Sequence, residues 1–211
     1  MKEERLRLPR LYAIIDAGLI ASRVPTERLT SGICDFAAEL AAGGVTLMQY
    51  RVSGLSSREM LSHARELRRV LGPDISLLIN ERSDLCLAAG FNGVHLDQGG
   101  LSPQGARAVL GTRLWVGVST HTAEQVKKAD LSEIDYIALC GEIDGNLDST
   151  AGLEKISAAR LATSKTLVAM GGVTKANARA MIKAGADALA VAHDLFEEPK
   201  RSAEEFLAIL V

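Results

Sequence analysis

Gln49 and Arg51 stand two residues apart at the end of the apolar run GVTLMQYR, so an extended chain points both side chains the same way. An arginine there offers a two-pronged donor to a diphosphate, and a glutamine can read an amide-like ring edge. An Arg–carboxylate pair that only braces the local structure would use the same arginine. Asn80 and Glu81 follow another apolar run, and their oxygens suit a hard cation such as Mg2+, which takes one or two carboxylates together with substrate phosphates. Glu81 would serve equally well in the first turn of a helix. His95 and His121 follow two further runs and are candidate general acids or bases, or else satisfied structural histidines. The turn MGGVT lets the backbone at Gly171 and Gly172 approach a phosphate, with Thr174 as the cap of the next helix; a tight turn that simply needs glycine is the plainer reading. His193 can add a donor to that phosphate, although Asp194 beside it repels one. Asp16, Arg82, Asp97, Gln98, Ser119 and Glu142 complete the polar residues that follow apolar runs. Cys140 reads as a small buried residue, and His63, inside a helical stretch, as a surface one.

Elements that alternate along the chain must position these side chains. The predicted strands are residues 11–16, 45–51, 76–80, 93–97, 114–119, 136–140, 166–170 and 188–193. Stretches with a period near 3.6, such as SSREMLSHARELRRVLG and TKANARAMIKAG, lie between them. Strand and helix in alternation, with no all-α or all-β block, predict a parallel sheet. Eight units in 211 residues fit a small closed (β/α)8 TIM barrel, whose site lies at the carboxyl ends of the strands. An open doubly wound sheet usually carries fewer strands at this length. The junctions AGGVTLMQY, AGFNGVHLD and AGADALAVA repeat one another, each with glycine ending a helix. No linker or low-complexity segment interrupts the chain, so residues 1–211 read as one domain.

Composition narrows the chemistry. A formal net charge of −2 and only 4% aromatic residues give no reason to expect nucleic acid as a partner. Three widely spaced cysteines support neither a disulfide framework nor a structural zinc site. The N-terminus MKEERLRLPR has no apolar core of a secretory signal, and no apolar run nears the roughly 20 residues that span a bilayer. The expectation is a cytoplasmic protein with no membrane partner, a homo-oligomer being left open. No lysine lies within or at the end of a predicted strand, which argues against Schiff-base aldolase chemistry.

The segments RLYAIID, GVTLMQYRVSG, LLINERSDLCLAAGFNGVHLDQGGLSP, VGVSTHT, DYIALCG and VAMGGVTKANARAMIKAGADALAV occur in the order found in thiamine phosphate synthases and the related thiazole tautomerases. The chain resembles that superfamily over nearly its whole length. The resemblance implies a (β/α)8 barrel acting on small phosphorylated thiamine precursors: the synthase joins hydroxymethylpyrimidine diphosphate to thiazole phosphate with magnesium and releases pyrophosphate. It implies that Arg51, Asn80 and Glu81 hold the diphosphate and Mg2+. Gln49 and Ser119 position the pyrimidine and its leaving group, His95 and Gln98 lie among the substrate-binding positions, and Gly171, Gly172 and His193 hold the thiazole phosphate.

The chain departs from the family pattern where charge matters most. Ser53 stands for the lysine of QxRxK, Glu81 for an aspartate, and HLDQGG for HLGQED, which puts Gly100 at a second metal aspartate. Asp97 is the neighbouring residue able to take over that metal role. The loop GEIDGNLDST is acidic where the synthases carry a Thr-rich loop ending in lysine, and His193 replaces a phosphate-binding serine. Two alternatives follow: a metal-independent tautomerase with His121 as base, and a paralogue that binds a thiamine precursor without turnover.

Overall fold

A computed structural model describes residues 6–141 and 150–211 of the chain. Leu11–Asp16 (β1), Leu47–Arg51 (β2), Ser76–Asn80 (β3) and Gly93–Leu96 (β4) pair in parallel with Trp115–Thr120 (β5), Tyr136–Cys140 (β6), Thr166–Met170 (β7) and Ala188–Val191 (β8), each strand with the next. β8 returns to pair with β1, so the eight strands close the single (β/α)8 barrel that the alternation predicts. Around it lie the helices Ala17–Ala21 (α1), Leu29–Ala42 (α2), Ser57–Leu71 (α3), Ser83–Ala89 (α4), Pro103–Leu110 (α5), Ala123–Asp130 (α6), Thr150–Ala162 (α7), Ala178–Lys183 (α8) and Pro199–Ile209 (α9). The largest departures from the predicted boundaries are two residues each: β2 begins at Leu47, and β8 stops at Val191 because Ala192 leaves the extended region and His193–Leu195 wind a 3-10 turn. Among the described residues, no helix is long and apolar enough to cross a membrane.

Alternate residues of each strand point into the barrel. Tyr12, Leu47, Leu78, Tyr136, Val168 and Ala188 fill it, with Leu6, Leu8 and Trp115 packed against them. Gly117 stands opposite Tyr136 in the register, and a Cβ at position 117 would overlap the tyrosine ring. The outward residues form a second cluster under the helices. In α3 the reciprocal cap of Ser56 and Glu59 starts the helix, and Met60, Ala64 and Leu67 face the sheet. His63 lies on that same buried stripe, contrary to its reading as a surface residue, with Nδ1 2.7 Å from the Tyr50 hydroxyl. Each of the three repeated helix-to-strand junctions carries a glycine with positive φ just past its helix: Gly44 (92°), Gly90 (67°) and Gly185 (119°). At AGGV the neighbouring Gly43 is required because a Cβ there would meet the backbone of Lys200.

The lower rim, at the amino ends of the strands, is closed by one arrangement used three times. Arg68 donates to the carbonyls of Gly72, Ile75 and Gly90 and to Asn92 Oδ1, which also accepts from Leu77 N. Arg107 does the same for Gly111, Leu114, Glu133 and Asp135, with Asp135 accepting from Val116 N. Arg160 binds the Thr163 and Lys165 carbonyls and Asp187, which accepts from Leu167 N. Each arginine lies on the helix after an even-numbered strand, and each acceptor side chain immediately precedes the next even-numbered strand. At the fourth position, where the chain begins and ends, Arg10 donates to the Leu210 carbonyl instead.

Candidate active site

From the barrel interior up to the upper rim, residues from six strands and one loop close a ring of side chains. Tyr12 donates to Gln49 Oε1 (2.5 Å), Gln49 Nε2 to Asn80 Oδ1 (2.8 Å), and Asn80 Nδ2 to Asp97 Oδ2 (3.1 Å). Ser119 donates to Asp97 Oδ1 (2.7 Å) and lies 2.9 Å from His95 Nε2. His95 Nδ1 is 2.9 Å from the Tyr136 hydroxyl, which lies 3.1 Å from that of Tyr12. The inner part of the ring is shut off from solvent, with Gln49 and His95 each 1% exposed, while Asn80 is half-buried and Asp97 is exposed. Burial pushes the His95 imidazole down to about 4, so it is neutral at pH 7. Burial alone would raise Asp97, but the hydrogen bonds from Ser119 and Asn80 outweigh it and hold the carboxyl below its ordinary value. Ser119 also takes a weak bond from the Cys140 thiol (3.4 Å), so its hydrogen and both lone pairs are engaged.

Asp97 is also where the ring meets Glu81. Glu81 is the sole non-glycine residue with positive φ (63°) among the described residues, a conformation that needs support from its neighbours. Its N–H binds the His95 carbonyl at 2.8 Å, and its carboxylate accepts from Asp97 N. That carboxylate therefore does not start α4, which has no side-chain cap. A Cβ at position 100 would overlap it, so Gly100 is the cradle in which Glu81 lies. Burial raises the Glu81 pKa, and the charge of Asp97 adds to the rise.

Arg51 binds Asp16 Oδ2 through Nε (2.9 Å) and Nη2 (2.7 Å), while Asp16 Oδ1 caps α1 at Gly18 N and Leu19 N. The bracing pair is therefore present, and it also fixes the guanidinium beside the ring. Gly171 and Gly172 adopt φ of 97° and 65°. Asn177, not the Thr174 side chain, staples this turn: its Nδ2 donates to Gly172 O and its Oδ1 accepts from Thr174 N. Asp194 is turned to Lys175 N at 2.9 Å, which latches the loop after β8 to the loop after β7 beside His193.

A model of the thiamine monophosphate synthase family matches residues 11–195. A thiamine-phosphate synthase of Koribacter versatilis is 51% identical over 210 residues, covering 97% of both chains. One from Azorhizobium caulinodans is 34% identical over 195 residues, covering 90% of this chain and 88% of its own. The chain belongs to the thiamine monophosphate synthase family. Its fold agrees with the solved thiamine phosphate pyrophosphorylase of Pyrococcus furiosus, with a TM-score of 0.81 at 25% identity over 95% of each chain.

Against that family pattern, the structure gathers Gln49, Asn80, His95, Asp97 and Ser119 into one ring, with Glu81 and Arg51 at its edge. Gln98 lies further out, its Oε1 3.5 Å from Gln125 Nε2, and Gln125 in turn accepts from His121 N. His121 lines a hollow of about 170 Å3 with Leu139 and Lys155. A shallow groove of about 1130 Å3 on the outer layer, lined by Cys34, Arg58 and Arg69, is remote from this chemistry. Arg82 turns away to Asp84 and Ser57. Glu142 and the acidic stretch to Asp148 lie outside the described residues. Tyr12 and Tyr136 are the ring members that motif reasoning missed. Their signal was the inward phase of β1 and β6, with Gly117 facing the Tyr136 ring.

Proposed function

We propose that the chain is a thiamine-phosphate synthase that joins hydroxymethylpyrimidine diphosphate to thiazole phosphate, releasing pyrophosphate. The observation that carries this reading is the 51% identity with a named synthase over 97% of both chains. The upper rim fits it. Gln49, with one amide hydrogen left after Asn80, can meet an acceptor on the pyrimidine edge, and Ser119 and His95 hold the wall beside it. Arg51 and Asn80 would hold the diphosphate. The Gly171–Gly172 turn with His193 would take the thiazole phosphate through backbone and imidazole N–H groups, and Gln98 would be a substrate-binding residue of the loop after β4.

Magnesium fits the donor set present. No group of three or more His, Cys, Asp or Glu gathers among the described residues, but Mg2+ bound with substrate phosphates needs only one or two carboxylates. Glu81, in the space left by Gly100, and Asp97 are those two. When bound, the ion would stabilise charge on the departing pyrophosphate. No observation favours the tautomerase reading, since His121 lines the hollow with Leu139 and Lys155.

Purified protein given both precursors should form thiamine phosphate and pyrophosphate in equal amounts, and only with magnesium. No product at high enzyme concentration would sink the proposal. Isomerisation of the thiazole carboxylate alone, without metal, would establish the tautomerase in its place.

A further inference from the structure

We infer that Tyr12 and Tyr136 are positioning residues that head two hydrogen-bonded arms converging on Asp97, and that these arms lock the Gln49 amide and the His95 ring each in one polarity. One arm runs Tyr12, Gln49, Asn80, Asp97; the other runs Tyr136, His95, Ser119, Asp97.

Each step forces the next. An ionised carboxylate only accepts, so Asn80 must turn its NH2 toward Asp97 and its oxygen toward Gln49. Gln49 must then present its own NH2 to Asn80, which leaves its oxygen for Tyr12 to donate to. In the other arm the single hydrogen of Ser119 goes to Asp97, so His95 must donate from Nε2. The Tyr136 hydroxyl has His95 Nδ1 at 2.9 Å and the Tyr12 oxygen further off at 3.1 Å, so it donates to the nearer Nδ1, which accepts. Both phenol hydrogens are now used, and the two phenol oxygens meet with none between them. Their separation agrees: 3.1 Å is long beside the usual 2.7–2.8 Å of O–H···O bonds. Gly117 makes the second arm possible, because any Cβ there would displace the Tyr136 ring.

The consequence is a Gln49 carboxamide that shows a ligand one fixed donor and one fixed acceptor. Only the kinetic part of the test rests on the synthase reading. Long-range proton–nitrogen NMR of the 15N-labelled full chain at pH 7.5 reads the tautomer directly. We expect His95 to be protonated at Nε2 and unprotonated at Nδ1. Tyr136→Phe should move the Nδ1 resonance, and Tyr12→Phe should leave both His95 nitrogens in place. Protonation at Nδ1 or at both nitrogens in the unaltered chain overturns the inference. So does a Tyr12→Phe shift as large as that of Tyr136→Phe. In turnover, Tyr12→Phe should raise KM for the pyrimidine substrate about tenfold, with kcat and the KM for thiazole phosphate within about twofold. A fall in kcat with KM unchanged would remove Gln49 positioning from the account. Absence of turnover in the unaltered chain would refute the synthase reading and leave the NMR result to judge the arms.

Discussion

The two rims of the barrel use similar side chains for opposite ends. Below, Arg68, Arg107 and Arg160 donate chiefly to main-chain carbonyls, each held by one Asn or Asp that in turn accepts a strand N–H. Above, the ring is side chain to side chain, with no repetition from unit to unit. Main-chain acceptors exist at every helix end, so one solution can be copied around the lower rim. The upper ring draws one residue from each of six strands and Asp97 from a loop, and every member constrains its neighbour's hydrogens. The lower rim is thus built for stability and the upper one for a single chemical environment.

Arg107→Ala should test this most severely. It leaves the Asp135 carboxylate without its guanidinium and several carbonyls unpaired, at a cost of about 3 kcal/mol. The melting temperature should fall by roughly 10 °C, while kcat of the folded fraction stays near that of the unaltered protein. Loss of turnover in a still-folded Arg107→Ala protein would erase the distinction between the rims. The mirror experiment is Asp97→Asn, where kcat/KM should fall about 100-fold. A thermal scan should then show a smaller change than Arg107→Ala produces.

A smaller effect belongs to Gly100→Ala. The added methyl group displaces the Glu81 carboxylate, so the magnesium concentration for half-maximal response should rise about tenfold. Calorimetric titration with magnesium and pyrophosphate reads this without turnover, and an unchanged midpoint would exclude Glu81 from the metal. The smallest effect concerns His63, away from both rims. Burial holds its imidazole below the ordinary pKa, so the folded protein resists the proton that the unfolded chain accepts. Its share of stability is full above the unfolded value of about 6.5 and is lost as pH falls from there toward the lower folded value. His63→Gln should flatten that part of a melting-temperature profile; an identical slope in both proteins would assign the acid sensitivity elsewhere.

Much of this was legible beforehand because it is local. The short continuous apolar runs LYAIID, YIALC and TLVAM place their strands to the residue. Among the described residues, Asp16, Gln49, Arg51, Asn80 and Ser119 fall at the carboxyl ends of their strands as expected for a barrel. His63 was misread although its signal was present, since it sits three residues after Met60 and directly before Ala64 on the apolar stripe of α3. Thr174 was a reasonable cap by type, but Asn177 reaches both ends of the turn. The resemblance identified Gly100 as a lost carboxylate, without revealing that Glu81 lies in the space it leaves.

Helix and strand periods, caps and the order of βα units arise within a few residues of sequence, and so the chain alone determined its elements, their alternation and the candidate residues. The direction of each hydrogen bond in the ring joins residues as far apart as Tyr12 and Tyr136. The room for Glu81 likewise depends on a glycine in another loop. Only closing the barrel brings those groups within bonding distance, where a buried donor or acceptor must find its partner or go unpaired.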